Sequence, residues 1–157
     1  MKCYMTTGAP SSTQPPPSGA APTAWDIIIP EWALDSYLNL RFAQVFTDQE
    51  YWNTLRPDVE LLRQGIPSPH PKFKNSSFWG PAKQGSTIVH GGYKMKWHQV
   101  GSGQVQLRLP VMAGDQTAFL CAAYVKENDA CDRRNIAKFK THMNLISMGH
   151  YQYRGKL

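Results

Sequence analysis

The chain has 157 residues, a mass of 17.7 kDa and a formal net charge of +6, which suit one domain with a proper hydrophobic core. Its three cysteines show no CxxC or Cys/His zinc spacing, which argues against a disulfide scaffold and a zinc site and fits a reducing cytoplasm. No apolar run reaches the length of a membrane span, and Lys2 is not followed by the apolar part of a signal peptide. We therefore expect a cytoplasmic protein with no membrane partner.

The charge is distributed unevenly along the chain. Residues 1–65 contain 4 Lys or Arg against 7 Asp or Glu, a balance of −3, whereas residues 66–157 contain 13 against 4, a balance of +9. This excess indicates a polyanionic partner for the second half, either a nucleic acid or an acidic protein. Basic surfaces also occur without such a role, so the second half either binds a polyanion or simply has a basic, solvated surface.

The N-terminal part divides into a leader and the start of a domain. Residues 1–24 are almost entirely Pro, Ser, Thr, Gly and Ala, and we expect a disordered leader before a single domain at 25–157. Residues 25–30 (WDIIIP) predict a short extended or strand-like segment, because a residue before proline avoids the helical region. A helix is predicted from Glu31 to about Gln44. Its apolar stripe is Leu34, Tyr37, Leu38, Phe42 and Val45.

A second helical segment and a long loop follow. Residues 47–50 (TDQE) have the form of a capping box, and Gly65 is a plausible C-cap residue. Between them Trp52, Leu55, Val59 and Leu62 are at helical spacing, with an interruption at Pro57. Residues 66–92 are rich in Pro, Gly and Ser and predict a long irregular loop.

Aromatic and basic residues alternate within this predicted loop. Phe73, Phe78 and Trp79 lie among three lysines, a mixture that suits stacking on bases and contact with phosphates. In the other interpretation, which we favour for Phe78 and Trp79, the rings fold inward and fix the loop.

Residues 93–126 predict a meander of three antiparallel strands with turns at GSG and AGD. With 101–103 as the loop, Val100 faces Gln104, His98 faces Gln106 and Lys96 faces Arg108, and Lys94 shares their side of the sheet. The opposite side carries core residues: Met95, Trp97, Val105, Leu107 and Leu109. Opposed cations repel, so the polar side either receives an anion such as phosphate or is the solvated face of a half-exposed sheet.

The C-terminal part predicts a helix and a short tail. The helix runs from about Cys131 to Met148, is capped by Asn128 or Asp129, and has a buried and a basic stripe. The buried stripe is Ile136, Phe139, Met143 and Ile146, and the basic stripe is Arg134, Lys138 and His142. The tail predicts a last strand or an extended segment. The order of elements predicts an α+β domain with helices segregated from one antiparallel sheet.

The chain lacks a Gly-rich phosphate loop, G-x-S-x-G, H-E-x-x-H and a paired-carboxylate motif. After residue 66 the acidic residues are only Asp115, Glu127, Asp129 and Asp132, too few for clustered metal ligands. Any phosphodiester chemistry should therefore need no metal or other cofactor. Lys and Arg would stabilise developing charge, a His, Tyr or Lys would move protons, and RNA would supply its own 2′-hydroxyl nucleophile.

From about Asp58 to Arg154 the chain resembles the RelE superfamily of bacterial type II toxins, and within it the YafO-like branch. The similarity is carried by DVELLRQGIP, by YKMKWHQV and by FLCAAYVKENDACDRRNIAKFKTHM. It implies a RelE-like α+β fold with N-terminal helices packed on an antiparallel meander sheet followed by a C-terminal helix. It also implies a metal-independent endoribonuclease that cleaves mRNA on the ribosome and is neutralised by a cognate antitoxin protein.

The resemblance implies a site on the polar sheet face and near the C-terminus. We assign catalytic roles to His98, Arg108, Lys96 and Tyr153, and RNA binding to Lys94, Lys126, Arg154, Arg134 and Lys138. The leader and the 66–92 loop depart from the compact members of the superfamily, and its ParE branch inhibits DNA gyrase and cuts no RNA. The alternative is a non-catalytic basic module that binds RNA, the ribosome or a protein target.

Two of these residues also have structural interpretations. Arg108 is either a phosphate clamp or the partner of a helix carboxylate such as Glu60. His98 is either the proton-transfer group or a rim histidine bonded to Gln106.

Overall fold

A computed structural model of the protein describes residues 24–43 and 45–157. In this part of the chain one mixed sheet has the strand order β2-β3-β4-β5-β1-β7, and β6 pairs with β4 beside β5. The strands are β1 (Asp26–Pro30), β2 (Trp79–Gln84), β3 (Thr87–Val100), β4 (Val105–Ala113), β5 (Thr117–Leu120), β6 (Tyr124–Lys126) and β7 (Tyr153–Lys156). The predicted α+β class and C-terminal helix are confirmed. The sheet was predicted to be antiparallel and is mostly so, but β1 and β5 pair in parallel. The predicted leader lies outside the described residues except for Ala24.

Helices lie before and after the run of strands from β2 to β6. The α-helices are α1 (Glu31–Phe42), α2 (Asp48–Glu50), α3 (Arg56–Glu60) and α4 (Asp129–Ser147). A π-helical piece (Tyr51–Leu55) joins α2 to α3, and two 3-10 pieces occupy Leu61–Gln64 and Pro71–Lys74. None of the described helices combines the length and apolar composition needed to cross a lipid bilayer.

The predicted capping signals are confirmed. Thr47 and Glu50 form a reciprocal capping box, in which each side chain accepts a hydrogen bond from the backbone of the other residue. Gly65 ends the helical segment at a φ of 96°, and Asn128 caps α4 by accepting from the Cys131 backbone. Local chemistry therefore fixed these helix ends, as capping groups satisfy backbone donors that a helix leaves free.

The predicted apolar stripes of the first two helical segments are confirmed only in part. Leu55, Val59 and Leu62 are buried, but Trp52 is 60% exposed and Leu34 is 37% exposed. The π-helical turn at Tyr51–Leu55 changes the helical period, so positions chosen on a regular 3.6-residue repeat do not share one face. The side chains of the other predicted stripe residues Tyr37, Leu38 and Phe42 are outside the described part of the structure.

The prediction of an irregular loop at 66–92 is wrong. This stretch contains a 3-10 helix, all of β2 and the first residues of β3. The prolines misled the sequence interpretation because β2 is an edge strand, where a residue without an N–H group is tolerated. The favoured inward orientation of Phe78 and Trp79 is confirmed, since both are buried.

The predicted three-stranded meander is only part of the sheet, and its third strand differs from the prediction. β1 joins β5 in parallel, so residues from the start of the chain extend the sheet. The predicted third strand is two strands, β5 and β6, which pair with different halves of β4. They separate where the Ala123 backbone N–H donates to the Ser36 hydroxyl of α1 instead of to a strand, at 2.9 Å.

The register of the first hairpin is confirmed in one half and wrong in the other. Lys96 lies opposite Arg108 as predicted, but Val100 lies opposite Val105 and not Gln104. A bulge between Trp97 and Val100 inserts one residue into β3, and Gln99 there has a φ of 59°. The predicted pairing of His98 with Gln106 is therefore lost.

The two faces of the sheet are packed differently. The side with Met95, Trp97, Leu107 and Leu109 forms the main core, as predicted. On the other side, α4 places Phe139 against Gly92, where an added Cβ would lie 2.8 Å from the ring. Gly92, Lys94 and Lys96 share that side because side chains alternate along a strand. The predicted buried stripe of α4, which is Ile136, Phe139, Met143 and Ile146, is confirmed.

Candidate nucleic-acid interface

Basic side chains from three neighbouring strands meet on the side of the sheet that α4 packs against, close to the N-terminus of α4. Lys96 on β3 pairs with Arg108 on β4, and Arg108 pairs with Tyr124 on β6, so the three residues form one row. Gln106 and Lys126 form the next row towards the turn at 101–104. We call this surface the basic face; it comprises Lys94, Lys96, Gln106, Arg108, Tyr124 and Lys126.

Arg108 is the most buried cation of the basic face. It is 5% exposed, and among the described residues its guanidinium donates only to neutral acceptors, Gln106 Oε1 at 2.7 Å and Leu107 O at 3.3 Å. Burial lowers its pKa, while the nearby Tyr124 and Asp132 favour the charged form. The alternative of an ion pair with Glu60 is wrong, because that carboxylate binds Arg56 and Arg63. A buried guanidinium held by neutral groups retains its capacity to bind an anion.

Lys96 lies directly across from Arg108. Its ammonium group donates to the backbone oxygen of Ser76 at 2.9 Å and lies over Gly80, 3.6 Å from where a Cβ would stand. Burial, followed by the positive charges of Lys94 and Arg108, lowers the pKa of Lys96. This ammonium therefore gives up its proton more readily than an ordinary lysine does.

The first turn of α4 supplies a carboxylate to the edge of the basic face. Asp132 accepts from Tyr124 Oη at 2.5 Å and forms an ion pair with Lys94 Nζ at 3.1 Å. Burial raises the pKa of Asp132, but the Tyr124 hydrogen bond and the Lys94 charge outweigh it, so the pKa lies below its usual value. Burial and Asp132 raise the pKa of Tyr124 above its usual value. Asp132 therefore stays ionised and holds both partners.

Lys126 is held more loosely. Its ammonium lies 3.9 Å from a carboxylate oxygen of Asp129, whose side chain is 88% exposed. An ion pair this exposed contributes little to stability and exchanges readily for another anion. Of the basic face's four cations, two are thus held by carboxylates, and Lys96 and Arg108 form no ion pair within the described residues.

His98 lies at the end of β3, next to the bulge. Its Nε2 is 2.8 Å from the backbone oxygen of Ser77, and the ring is exposed. The predicted alternative partner, Gln106, is bonded to Arg108 instead. His98 also lines a small cavity of about 220 Å³ with Glu50, Thr54 and Leu55.

The structure does not bring the C-terminal residues Tyr153 and Arg154 to the basic face. They belong to β7, which pairs with β1 and is separated from β4 by β5 and β1. Tyr153 is 58% exposed there, and Arg154 donates to Gln152. Their assignment to the site required the tail to fold back over the polar face. It does not, because the Leu157 N–H donates to the Ile27 carbonyl and ties the tail to β1.

The predicted basic stripe of α4 is also only partly basic. Arg134 and Lys138 are exposed, but His142 is 8% exposed and stacks on Trp32 with 4.1 Å between ring centroids. Burial, followed by the positive charge of Lys138, lowers the pKa of His142 to about 4. His142 is therefore a neutral packing residue at pH 7, and Lys138 lines a cavity beside it that is separate from the basic face.

Sequence reasoning missed Tyr124 and Asp132. One signal was present, since Tyr124 and Lys126 are two residues apart and so share a side of their strand. The position of Asp132 depended on where α4 begins relative to the sheet, which no local pattern records. The hydrogen bond from Tyr124 to Asp132 joins β6 to α4 at the edge of the basic face.

No protein-family model matches the chain, and no curated protein is significantly similar to it in sequence. Within residues 24–43 and 45–157, no group of three or more His, Cys, Asp or Glu side chains is placed to hold a metal ion. Within the described residues, the basic face offers two cations that form no ion pair, Lys96 and Arg108, and the nearby His98 is bonded to a backbone carbonyl.

Proposed function

We propose that the protein is a RelE-like toxin, a metal-independent endoribonuclease that cleaves mRNA on the ribosome in the cytoplasm and is inhibited by a cognate antitoxin protein. The observation that carries the proposal is Arg108, a buried guanidinium that pairs across the sheet with Lys96 and, in the described part of the chain, is bound only to neutral acceptors. A phosphate bound to both side chains would supply the anionic partner that neither cation has within the described residues. The α+β architecture with its C-terminal helix is compatible with the resemblance to that superfamily.

The proposed reaction is transfer of the phosphodiester to the neighbouring 2′-oxygen. The 2′-oxygen forms a bond to phosphorus, the bond from phosphorus to the 5′-oxygen breaks, and the products are a 2′,3′-cyclic phosphate and a 5′-hydroxyl. His98 accepts the proton of the 2′-hydroxyl and later releases it to water. Lys96 donates a proton to the leaving 5′-oxygen, a step that its lowered pKa favours, and later regains a proton from water. Arg108 stabilises the charge that develops on the phosphorane oxygens.

Other cations would bind neighbouring phosphates. Lys126 exchanges its exposed partner Asp129 for RNA at little cost, whereas Lys94 must first leave Asp132. Arg134 is exposed on α4 and could extend this track along the helix, whereas Lys138 lines the separate cavity beside His142. Tyr153 and Arg154 have no part in the proposed site because they lie at the other edge of the sheet.

A non-catalytic module that binds RNA, the ribosome or a protein target is the second candidate. It is favoured by the engagement of polar groups around the basic face: Asp132 holds Tyr124 and Lys94, and a backbone carbonyl holds His98. In such a module charge is used diffusely, so no single residue is decisive and affinity falls steeply with salt.

The deciding experiment is induction of the wild type, Arg108→Ala and Arg108→Lys in a bacterium, with growth and mRNA integrity as readouts. We expect the wild type to arrest growth and leave discrete mRNA cuts, and Arg108→Ala to cleave at least about 100-fold more slowly. Arg108→Lys should recover only part of the rate, because an ammonium cannot bind phosphate bidentately. Arg63→Ala removes the same charge at an ion pair with Glu60 and serves as the matched control.

Each alternative has its own result. Growth arrest with intact mRNA would indicate a protein target in the manner of the ParE branch. Absence of arrest, with the wild type expressed and folded, would refute the toxin proposal. Because Arg108 is buried, thermal unfolding of each purified variant must accompany the assay, so that loss of folding is distinguished from loss of cleavage.

A further inference from the structure

The turn at residues 75–78 presents three successive backbone oxygens to the end of β3. Ser76 O accepts from the Lys96 ammonium at 2.9 Å, and Ser77 O lies 2.8 Å from His98 Nε2. Phe78 O accepts from the Lys96 backbone N–H at 2.7 Å. One turn therefore holds both groups to which the proposed function assigns proton transfer.

The contact with Ser77 determines which nitrogen of His98 carries the proton. A backbone carbonyl oxygen can only accept a hydrogen bond, so Nε2 must be the donor. In the neutral imidazole the other nitrogen, Nδ1, is then unprotonated and holds a lone pair. No partner within the described residues bonds to Nδ1, and the ring is exposed. The ring is thus held in the tautomer that leaves one nitrogen free to accept a proton.

Asn75 organises this turn through both its side chain and its backbone. Its Oδ1 accepts from the Ser77 N–H at 2.9 Å, and its backbone oxygen accepts from the N–H groups of Phe78 and Trp79 at 2.9 and 3.0 Å. Phe78 and Trp79 are buried and pack on Phe73 at ring-centroid distances of 5.6 and 4.8 Å. The Asn75 side chain holds the Ser76–Ser77 peptide unit, whose carbonyl binds Lys96. The Asn75 backbone oxygen holds the next unit, whose Ser77 carbonyl binds His98, and the aromatic rings fix the far side of the turn.

We propose that Asn75 is a positioning residue: by binding the Ser77 N–H, its side chain fixes the turn that presents the Ser77 carbonyl to His98, which holds the ring as its Nε2–H tautomer and makes Nδ1 the atom that accepts the 2′-hydroxyl proton. The assignment of a base rests on the proposed function, whereas the tautomer and its dependence on Asn75 do not. The same turn also holds the Lys96 ammonium through the Ser76 carbonyl. Disrupting the turn therefore disturbs the proton acceptor and the proton donor together.

The tautomer is measured by 15N NMR of the full-length protein labelled at histidine, at about pH 8.5 where an ordinary imidazole is neutral. His98→Gln identifies the His98 signals by their absence. We expect the wild-type Nδ1 signal in the range of an unprotonated ring nitrogen and the Nε2 signal in that of a protonated one. Asn75→Ala should give averaged tautomers, and Asn75→Asp, which keeps an acceptor oxygen, should restore the wild-type pattern. Asn53→Ala, at an exposed asparagine in the π-helical piece, is the matched control.

Cleavage kinetics test the role in catalysis. His98→Gln should lower kcat by about 10²- to 10⁴-fold, and Asn75→Ala by about 10- to 100-fold with little change in KM, because a positioning residue acts on the chemical step. Asn75→Asp should recover most of kcat. A wild-type His98 protonated on Nδ1, or averaged between tautomers, would overturn the proposal. So would an Asn75→Ala protein that has lost the tautomer yet cleaves at the wild-type rate.

Failure of the proposed function gives a different pattern of results. If the wild type cleaves no RNA while His98 still shows the Asn75-dependent tautomer, the ribonuclease is refuted and the positioning of the ring by Asn75 is upheld. If cleavage is normal and the tautomer is not fixed, the positioning role is refuted and the ribonuclease is upheld.

Discussion

The two ends of one sheet face have opposite environments although the same strands, β3 and β4, form both. At one end Gly92 lies beneath Phe139 of α4, and the surrounding residues belong to a hydrophobic cluster. At the other end Lys96 faces Arg108 across the strand pair, where α4 begins. Strand alternation placed all of these residues on one face, but the position of the helix decided which end became core.

The two histidines associated with these ends show the same contrast. His142 is buried and stacks on Trp32, and its Nδ1 has no hydrogen-bond partner among the residues that the structure describes. His98 is exposed and is oriented by the Ser77 carbonyl. Surroundings, and not residue type, therefore separate a packing histidine from a candidate base.

The largest expected effect on stability is at the end of the sheet face where Phe139 of α4 covers Gly92. Phe139→Ala should lower the free energy of unfolding by about 3–5 kcal/mol, because the ring is 1% exposed and its loss leaves a cavity over Gly92. Chemical denaturation measures this change, and Thr141→Ala, at an exposed position on α4, should stay within about 0.5 kcal/mol of wild type. A loss below about 1 kcal/mol for Phe139→Ala would show that α4 does not pack on the sheet at that point.

A smaller effect is expected from the pH dependence of His142. Its pKa in the folded protein is about 4, below the ordinary 6.5, so the unfolded chain binds more protons between these values. Stability should be complete above about pH 6.5 and fall by up to about 3 kcal/mol as the pH is lowered towards 4. His142→Phe keeps the ring stack and should remove this part of the acid sensitivity in denaturation measured from pH 7 to 4. His150→Gln, at an exposed histidine, should retain it.

The smallest effect is expected at Asp132, at the edge of the basic face, where one substitution should weaken folding but strengthen RNA binding. Asp132→Asn should cost about 1–3 kcal/mol of folding free energy by removing the ion pair of Lys94, yet it should raise RNA affinity up to about tenfold at low salt. The salt dependence of binding should steepen by about one phosphate contact, because Lys94 is freed. Denaturation and a salt series of RNA-binding measurements report the two changes.

Asp129→Asn is the matched control for this experiment. It removes an equal charge from the same helical turn, but the Asp129 side chain is 88% exposed and lies 3.9 Å from the Lys126 ammonium. We expect a loss of stability below about 1 kcal/mol. Equal stability losses in the two variants would show that Asp132 has no special role in joining α4 to the sheet.

Several features of the fold were predictable because neighbours in the sequence create them. The capping box at Thr47, the cap at Asn128 and the buried stripe of α4 follow from groups within one or two helical turns. The pairing of Lys96 with Arg108 followed from strand alternation and a short turn. By contrast, the bulge at Gln99, the parallel addition of β1 and the break between β5 and β6 depend on contacts between distant residues.

The sequence by itself determined that basic residues would gather on one side of a sheet, since alternation with period two is a property of every strand. It also determined where most helices begin and end, because caps are local. Only the tertiary structure decided that Arg108 would be buried and bonded to Gln106, that Asp132 would hold Lys94 and Tyr124, and that Tyr153 would lie at the far edge. The physical reason is that burial and ion pairing depend on which segments meet, and those segments are far apart along the chain.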